Sequence, residues 1–121
     1  MRRLFNSFRY AFAGIGYAVR TQANLRIHGI ISIAVIVVGL WLRISNTEWA
    51  IIVVTMMMVL SAELFNTAIE AVIDRIGPEA HPLSKTTKDA AAGAVLIGAI
   101  GAVIVGILIF LPKLLALMGT R

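Results

Sequence analysis

A chain of 121 residues that is 60% hydrophobic and 14% charged, with a mean hydropathy of +0.92, lies outside the range of soluble globular domains and inside that of membrane proteins. Its net charge of +5 comes from basic residues that flank apolar runs, which fits attraction to anionic headgroups and argues against a nucleic-acid partner. With no cysteine and no length to spare for a separate soluble domain, disulfide and thiolate chemistry are excluded, and any activity falls to membrane helices and their short connections.

The first predicted element is an amphipathic surface helix over residues 2–20. Leu4, Phe5, Phe8, Phe12, Ile15 and Val19 recur at helical spacing, with Arg2, Arg9 and Arg20 on the polar side. Arg2 and Arg3 imitate the start of a signal peptide. Asn6, Ser7 and Arg9 interrupt the apolar run behind them, and no cleavage site is expected. The first membrane helix is predicted over 27–44. His28 is the only ionisable residue between Ile27 and Leu42. Trp41 and Trp49 bracket the next turn and mark one membrane surface, since tryptophan prefers the interface.

The second membrane helix is predicted over 49–76. It reads WAIIVVTMMMVLSAELFNTAIEAVI from Trp49 to Ile73, and its only charges there are Glu63 and Glu70. A carboxylate at the centre of a membrane helix costs about 2.5–3.5 kcal/mol even on mild scales, so two of them imply a use. Seven residues is two helical turns, which puts both on one face, with Asn66 and Asp74 close to it. At about 1.5 Å per residue from Trp49, Glu63 lies about 21 Å deep and Glu70 about 31 Å, near the opposite interface. Gly77-Pro78 is the expected helix end. The third membrane helix is predicted over 82–118, with Pro82 at its first position. Ala94, Gly98, Ala102 and Gly106 form a small-residue stripe for close helix packing.

Eight of the basic residues fall on the side of the N-terminus and second loop, and three (Arg43, Lys113 and Arg121) on the other. The positive-inside rule then puts the N-terminus in the cytoplasm and the C-terminus outside the cell's inner (plasma) membrane. The acids need partners, so a homo-oligomer is expected, with the acidic stripe at the subunit interface.

Carboxylates with an asparagine and few histidines favour a hard cation such as Mg²⁺, which seldom binds without phosphate oxygens. Lysines nearby complete the parts for phosphoryl transfer. One carboxylate is left to take the proton of the attacking hydroxyl. Glu63, the deeper, is the better base, and Glu70, at the interface, the better metal ligand. A base at that depth meets the hydroxyl of a lipid alcohol, while the phosphate donor comes from the cytoplasm as a nucleotide. No Walker A or GxGxxG motif is present to hold it.

The run ELFNTAIEAVIDRIG (63–77), followed by EAHPLSKTTKDAAAGAVL (79–96), resembles the bacterial integral-membrane diacylglycerol kinase and undecaprenol kinase family. The resemblance covers nearly the whole chain. It implies an all-α integral membrane protein of three transmembrane helices plus the N-terminal surface helix, working as an ATP- and Mg²⁺-dependent homotrimer with shared active sites. Carried over, it makes Glu63 the catalytic base, Glu70 a metal ligand and Asn66 an active-site asparagine, with Asp74 in support. Lys88, Asp89, Glu79, His81, Arg3 and Tyr10 match nucleotide-site positions. Gln22 stands where many members carry a metal-binding glutamate, and its amide oxygen brings less charge to Mg²⁺.

HPLSKTTKDAAAGAVL looks closer to the undecaprenol kinase branch, which implies undecaprenol as the lipid, with diacylglycerol as the alternative. Taken singly, the residues have plainer readings: Glu63 as helix glue, Glu70 and Asp74 as interfacial ion pairs, Lys85 and Asp89 as an i,i+4 helix support. The competing class is a non-enzymatic, ion-coupled membrane oligomer. None of these explains why acids, an amide, lysines and a histidine gather at one end of one helix face.

Overall fold

The computed structural model describes residues 1–77 and 79–119, so the Pro78 half of the expected Gly77-Pro78 helix stop, and Arg121, lie outside the described residues. Those residues form four helices: α1 (Arg2–Thr21), α2 (Ala23–Trp41), α3 (Asn46–Ile76) and α4 (Leu83–Gly119). The last three are each long and apolar enough to cross a membrane.

Gln22 separates α1 from α2. Its extended backbone (φ −111°, ψ 109°) ends one helix and opens the next. Arg26 lies inside α2, so the helix starts at Ala23, earlier than the predicted start at Ile27. The Arg26 side chain turns back, and Nη1 donates to the carbonyls of Val19 (2.8 Å) and Arg20 (3.1 Å). It thereby satisfies carbonyls that the end of α1 leaves without helical partners.

The turn from α2 to α3 is tightly specified. Arg43 takes a left-handed conformation (φ 51°). Ser45 then caps α3 reciprocally: Glu48 N donates to Ser45 Oγ at 3.2 Å, and Ser45 N donates to Glu48 Oε2 at 2.7 Å. Lys113 of α4 reaches the same Glu48 carboxylate at 3.2 Å. Gly39 is required here, because a Cβ would stand 2.8 Å from the Trp49 ring. Beneath the turn, Ile44, Ile52 and Ile109 form the apolar core, flanked by Val35, Leu42, Trp49, Met56, Val105 and Phe110.

α3 packs chiefly against α4, and less against α2 and α1. Buried or half-buried α2 positions 25, 28, 32, 35 and 39 alternate by three and four, a seam that faces α3. The small-residue stripe of α4 meets α3 at Gly98, whose missing Cβ would touch Val59 at 3.7 Å. Around Ala102 and Gly106 it borders an apolar hollow between α2, α3 and α4. α3 stops at Gly77 (φ 105°), whose N–H bonds the Ile73 carbonyl at 2.9 Å.

Candidate active site

The buried face of α3 changes character along its length. It is apolar at Ile52 and Val59, then becomes polar at Glu63, Asn66 and Thr67, one turn before Glu70. Glu63 is 2% exposed and is the largest side chain so fully enclosed among the described residues. Its Oε1 accepts no hydrogen bond. The His28 Nε2 of α2 lies 3.2 Å from that oxygen, close but not aligned for an N–H···O bond. The Thr67 hydroxyl is committed elsewhere, donating to the Glu63 carbonyl at 2.8 Å.

Asn66 is also buried. Its Nδ2 donates to Glu70 Oε1 at 3.2 Å, while its Oδ1 is enclosed with no hydrogen-bond partner. Two buried, unpartnered oxygens within one turn of a helix are costly, at about 1–3 kcal/mol each. Such a pair marks a place where stability is not what the sequence optimises.

The start of α4 comes alongside the end of α3. Lys88 Nζ pairs with Asp74 Oδ1 at 2.9 Å, and Glu70 adds its charge to the field at that ammonium. Lys85 pairs with Asp89 along α4, the i,i+4 support that the spacing allowed. His81 Nδ1 accepts from the Leu83 N–H at 3.1 Å and so helps to open α4. Glu79 is exposed in the same connection.

The N-terminal helix approaches from the other side. Ala18 is 1% exposed. Together with Tyr10, Ala11, Gly14 and Ile15 it faces Leu64, Thr67, Ala68 and Ala71 across a shallow groove. Tyr10 thus stands on the face of α1 nearest the polar part of α3, with the Arg9 guanidinium 5.3 Å from its ring centre. Gln22 is half-buried at the joint one turn beyond Ala18. Arg3 is exposed near the start of α1, and among the described residues its side chain forms no hydrogen bond or ion pair with the acidic cluster.

The structure therefore brings together Glu63, Asn66 and Glu70 on one helix face and joins Lys88 to Asp74. Among the described residues Asp89 pairs with Lys85, His81 bonds the start of α4, and neither these two nor the exposed Glu79 and Arg3 form a hydrogen bond or ion pair with Glu63, Asn66 or Glu70. His28 is the residue whose placement the sequence did not suggest. The available signal was that it is the sole ionisable group in its apolar run, and such a group calls for a named partner.

Two apolar hollows reach these polar groups. A groove of about 540 Å³ between α3 and α4 ends on Asn66. The hollow of about 280 Å³ between α2, α3 and α4 ends on His28. Both suit a hydrocarbon tail with a polar head. The residues present also suit Mg²⁺: the Glu70 carboxylate and the Gln22 amide oxygen, both half-buried, are hard donors. Among the described residues no three Asp, Glu or His side chains converge.

Comparison with known proteins matches residues 9–110 to the model of the prokaryotic diacylglycerol kinase family. A diacylglycerol kinase from Synechocystis sp. is 48% identical over 116 residues, which cover 95% of this chain and 66% of that protein. The chain thus spans about two thirds of that relative's length. An undecaprenol kinase from Bacillus subtilis is 45% identical over 114 residues, covering 94% of this chain and 93% of that protein. A diacylglycerol kinase from Escherichia coli is 36% identical over 102 residues, covering 84% of each.

Proposed function

The chain belongs to the prokaryotic diacylglycerol kinase family and is a lipid kinase, and from that premise we propose that it transfers the γ-phosphoryl group of ATP to the hydroxyl of undecaprenol. Glu63 acts as the base. Its carboxylate takes the proton from the lipid hydroxyl as that oxygen bonds to the γ-phosphorus. The bond from the γ-phosphorus to the bridging oxygen breaks, and ADP leaves.

The observation that carries this reading is the enclosed, unpartnered carboxylate oxygen of Glu63 at the polar end of an otherwise apolar helix face. With Oε1 enclosed and free of any hydrogen bond, Oε2 is the oxygen left to meet the acceptor hydroxyl. Asn66 supports the acceptor hydroxyl through Oδ1 and orients Glu70 through Nδ2. Glu70 would hold Mg²⁺, with Gln22 as the second protein ligand. When bound, the ion draws charge from the phosphate oxygens. Lys88 turns from Asp74 to the triphosphate, while Asp89, Glu79, His81, Arg3 and Tyr10 contact the nucleotide. Asp74 takes back the Lys88 ammonium when the nucleotide leaves. α1 lies on the membrane surface and closes the site from the cytoplasmic side of the inner membrane. Three copies complete it, with the exposed Phe65 (72%) on the same half of α3 offering an apolar contact to a neighbouring subunit.

The choice of lipid rests on the run 81–96 and on the B. subtilis relative, matched over 93% of its length. Diacylglycerol is the second reading, favoured by the somewhat higher identity to the Synechocystis protein. Purified protein with Mg-ATP and each lipid in matched micelles separates them. The expected result is the higher kcat/KM on undecaprenol. An equal or reversed preference moves the assignment to diacylglycerol.

A further inference from the structure

His28 occupies one register of the α2 seam, between Leu25 and Ser32, at a position where Val35 and Gly39 further along simply pack. An imidazole there gains little from burial and forgoes much of its hydration. Opposite it stands Glu63, with Nε2 3.2 Å from Oε1. The other polar side chains nearby are occupied: Ser32 Oγ donates to the His28 carbonyl at 2.8 Å, and Thr67 Oγ1 to the Glu63 carbonyl at 2.8 Å. Oε1 is left with the imidazole alone. His28 is 22% exposed, and what it exposes lines the hollow between α2, α3 and α4.

We propose that His28 is a positioning residue for Glu63: its Nε2–H holds Oε1, which turns Oε2 toward the acceptor hydroxyl. A small rotation of the ring brings the N–H onto the oxygen. A carboxylate with two equivalent oxygens and no fixed contact samples several rotamers, few of which point a lone pair at the substrate. Anchoring one oxygen from a neighbouring helix selects among them. Misplacement of a reacting group by about 1 Å costs on the order of 100-fold in rate. The inference rests on Glu63 being the base, and it extends that reading to a residue on another helix.

The test is steady-state kinetics on purified His28→Ala and His28→Gln with the lipid alcohol and Mg-ATP, beside wild type and Glu63→Gln. The glutamine amide nitrogen occupies nearly the place of imidazole Nε2. His28→Ala should lose roughly 100-fold in kcat, with both KM values within about twofold of wild type. His28→Gln should recover most of that loss. If His28→Ala does not fold, His28→Asn, one methylene short of the contact, takes its place with the same expectation. An unchanged kcat, no recovery in His28→Gln, or a loss confined to the lipid KM overturns the proposal. The last outcome would make His28 a wall of the hollow only. Failure of the underlying reading looks different: Glu63→Gln would then turn over like wild type whatever the His28 variants do.

Discussion

Along one face of α3, the N-terminal half buries Ile52 and Val59, with Ile52 packed against Ile44 and Ile109, whereas the C-terminal half buries Glu63, Asn66 and Thr67. The first half is closed by a reciprocal Ser45–Glu48 cap, a Lys113–Glu48 ion pair and a glycine cut to the shape of Trp49. Every polar group named there has its partner. In the second half two enclosed oxygens have none. One helix thus carries a region arranged for stability and a region arranged for chemistry, about three turns apart. Substitutions in the two halves should therefore separate stability from turnover.

A large separation is expected at Glu70. Glu70→Gln, which keeps an oxygen to accept from the Asn66 amide, should lower turnover by about 100-fold or more, as loss of a group that stabilises transferring charge does. It should raise the Mg²⁺ needed for half-maximal rate and leave the unfolding midpoint in detergent unchanged. An unaltered metal titration would remove Glu70 from the metal. Next comes the opposite half. Gly39→Val drives a side chain into the Trp49 ring and should cost about 1–3 kcal/mol, read as a lower unfolding midpoint. Turnover per folded molecule should stay near wild type, and a fall in it would show that the two halves are coupled. The smallest effect sharpens the contrast most. Asn66→Leu removes the enclosed orphan oxygen and should leave the midpoint equal or higher, by up to about 1 kcal/mol, while turnover falls. A lower midpoint together with full turnover would reverse the roles assigned to the two halves.

Much of this division was legible in the residues themselves. Period and hydropathy are strong over long apolar runs, so the three long helices and the bracketing tryptophans could be anticipated, as could the polar face 63–66–70. Helix ends were less legible, because side chains from elsewhere set them. Arg26 reads as a charge that should precede a membrane helix, yet it sits inside α2 because its long stem reaches back to the α1 carbonyls. Lys88 reads as the neighbour of Asp89 in sequence, yet across the helix pair it meets Asp74. His28 was visible as a lone ionisable residue, but only the register between α2 and α3 sets it against Glu63. Contacts between helices depend on crossing geometry, which one helix's periodicity does not encode.

The most direct measurement is lipid phosphorylation by Glu63→Gln, beside its unfolding midpoint in the same detergent. Loss of turnover by about 10²–10⁴-fold with an unchanged midpoint is the predicted result, since the amide keeps the shape and cannot take the proton. Turnover equal to wild type would contradict the account, because the enclosed carboxylate would then be packing and the proton of the lipid alcohol would go elsewhere.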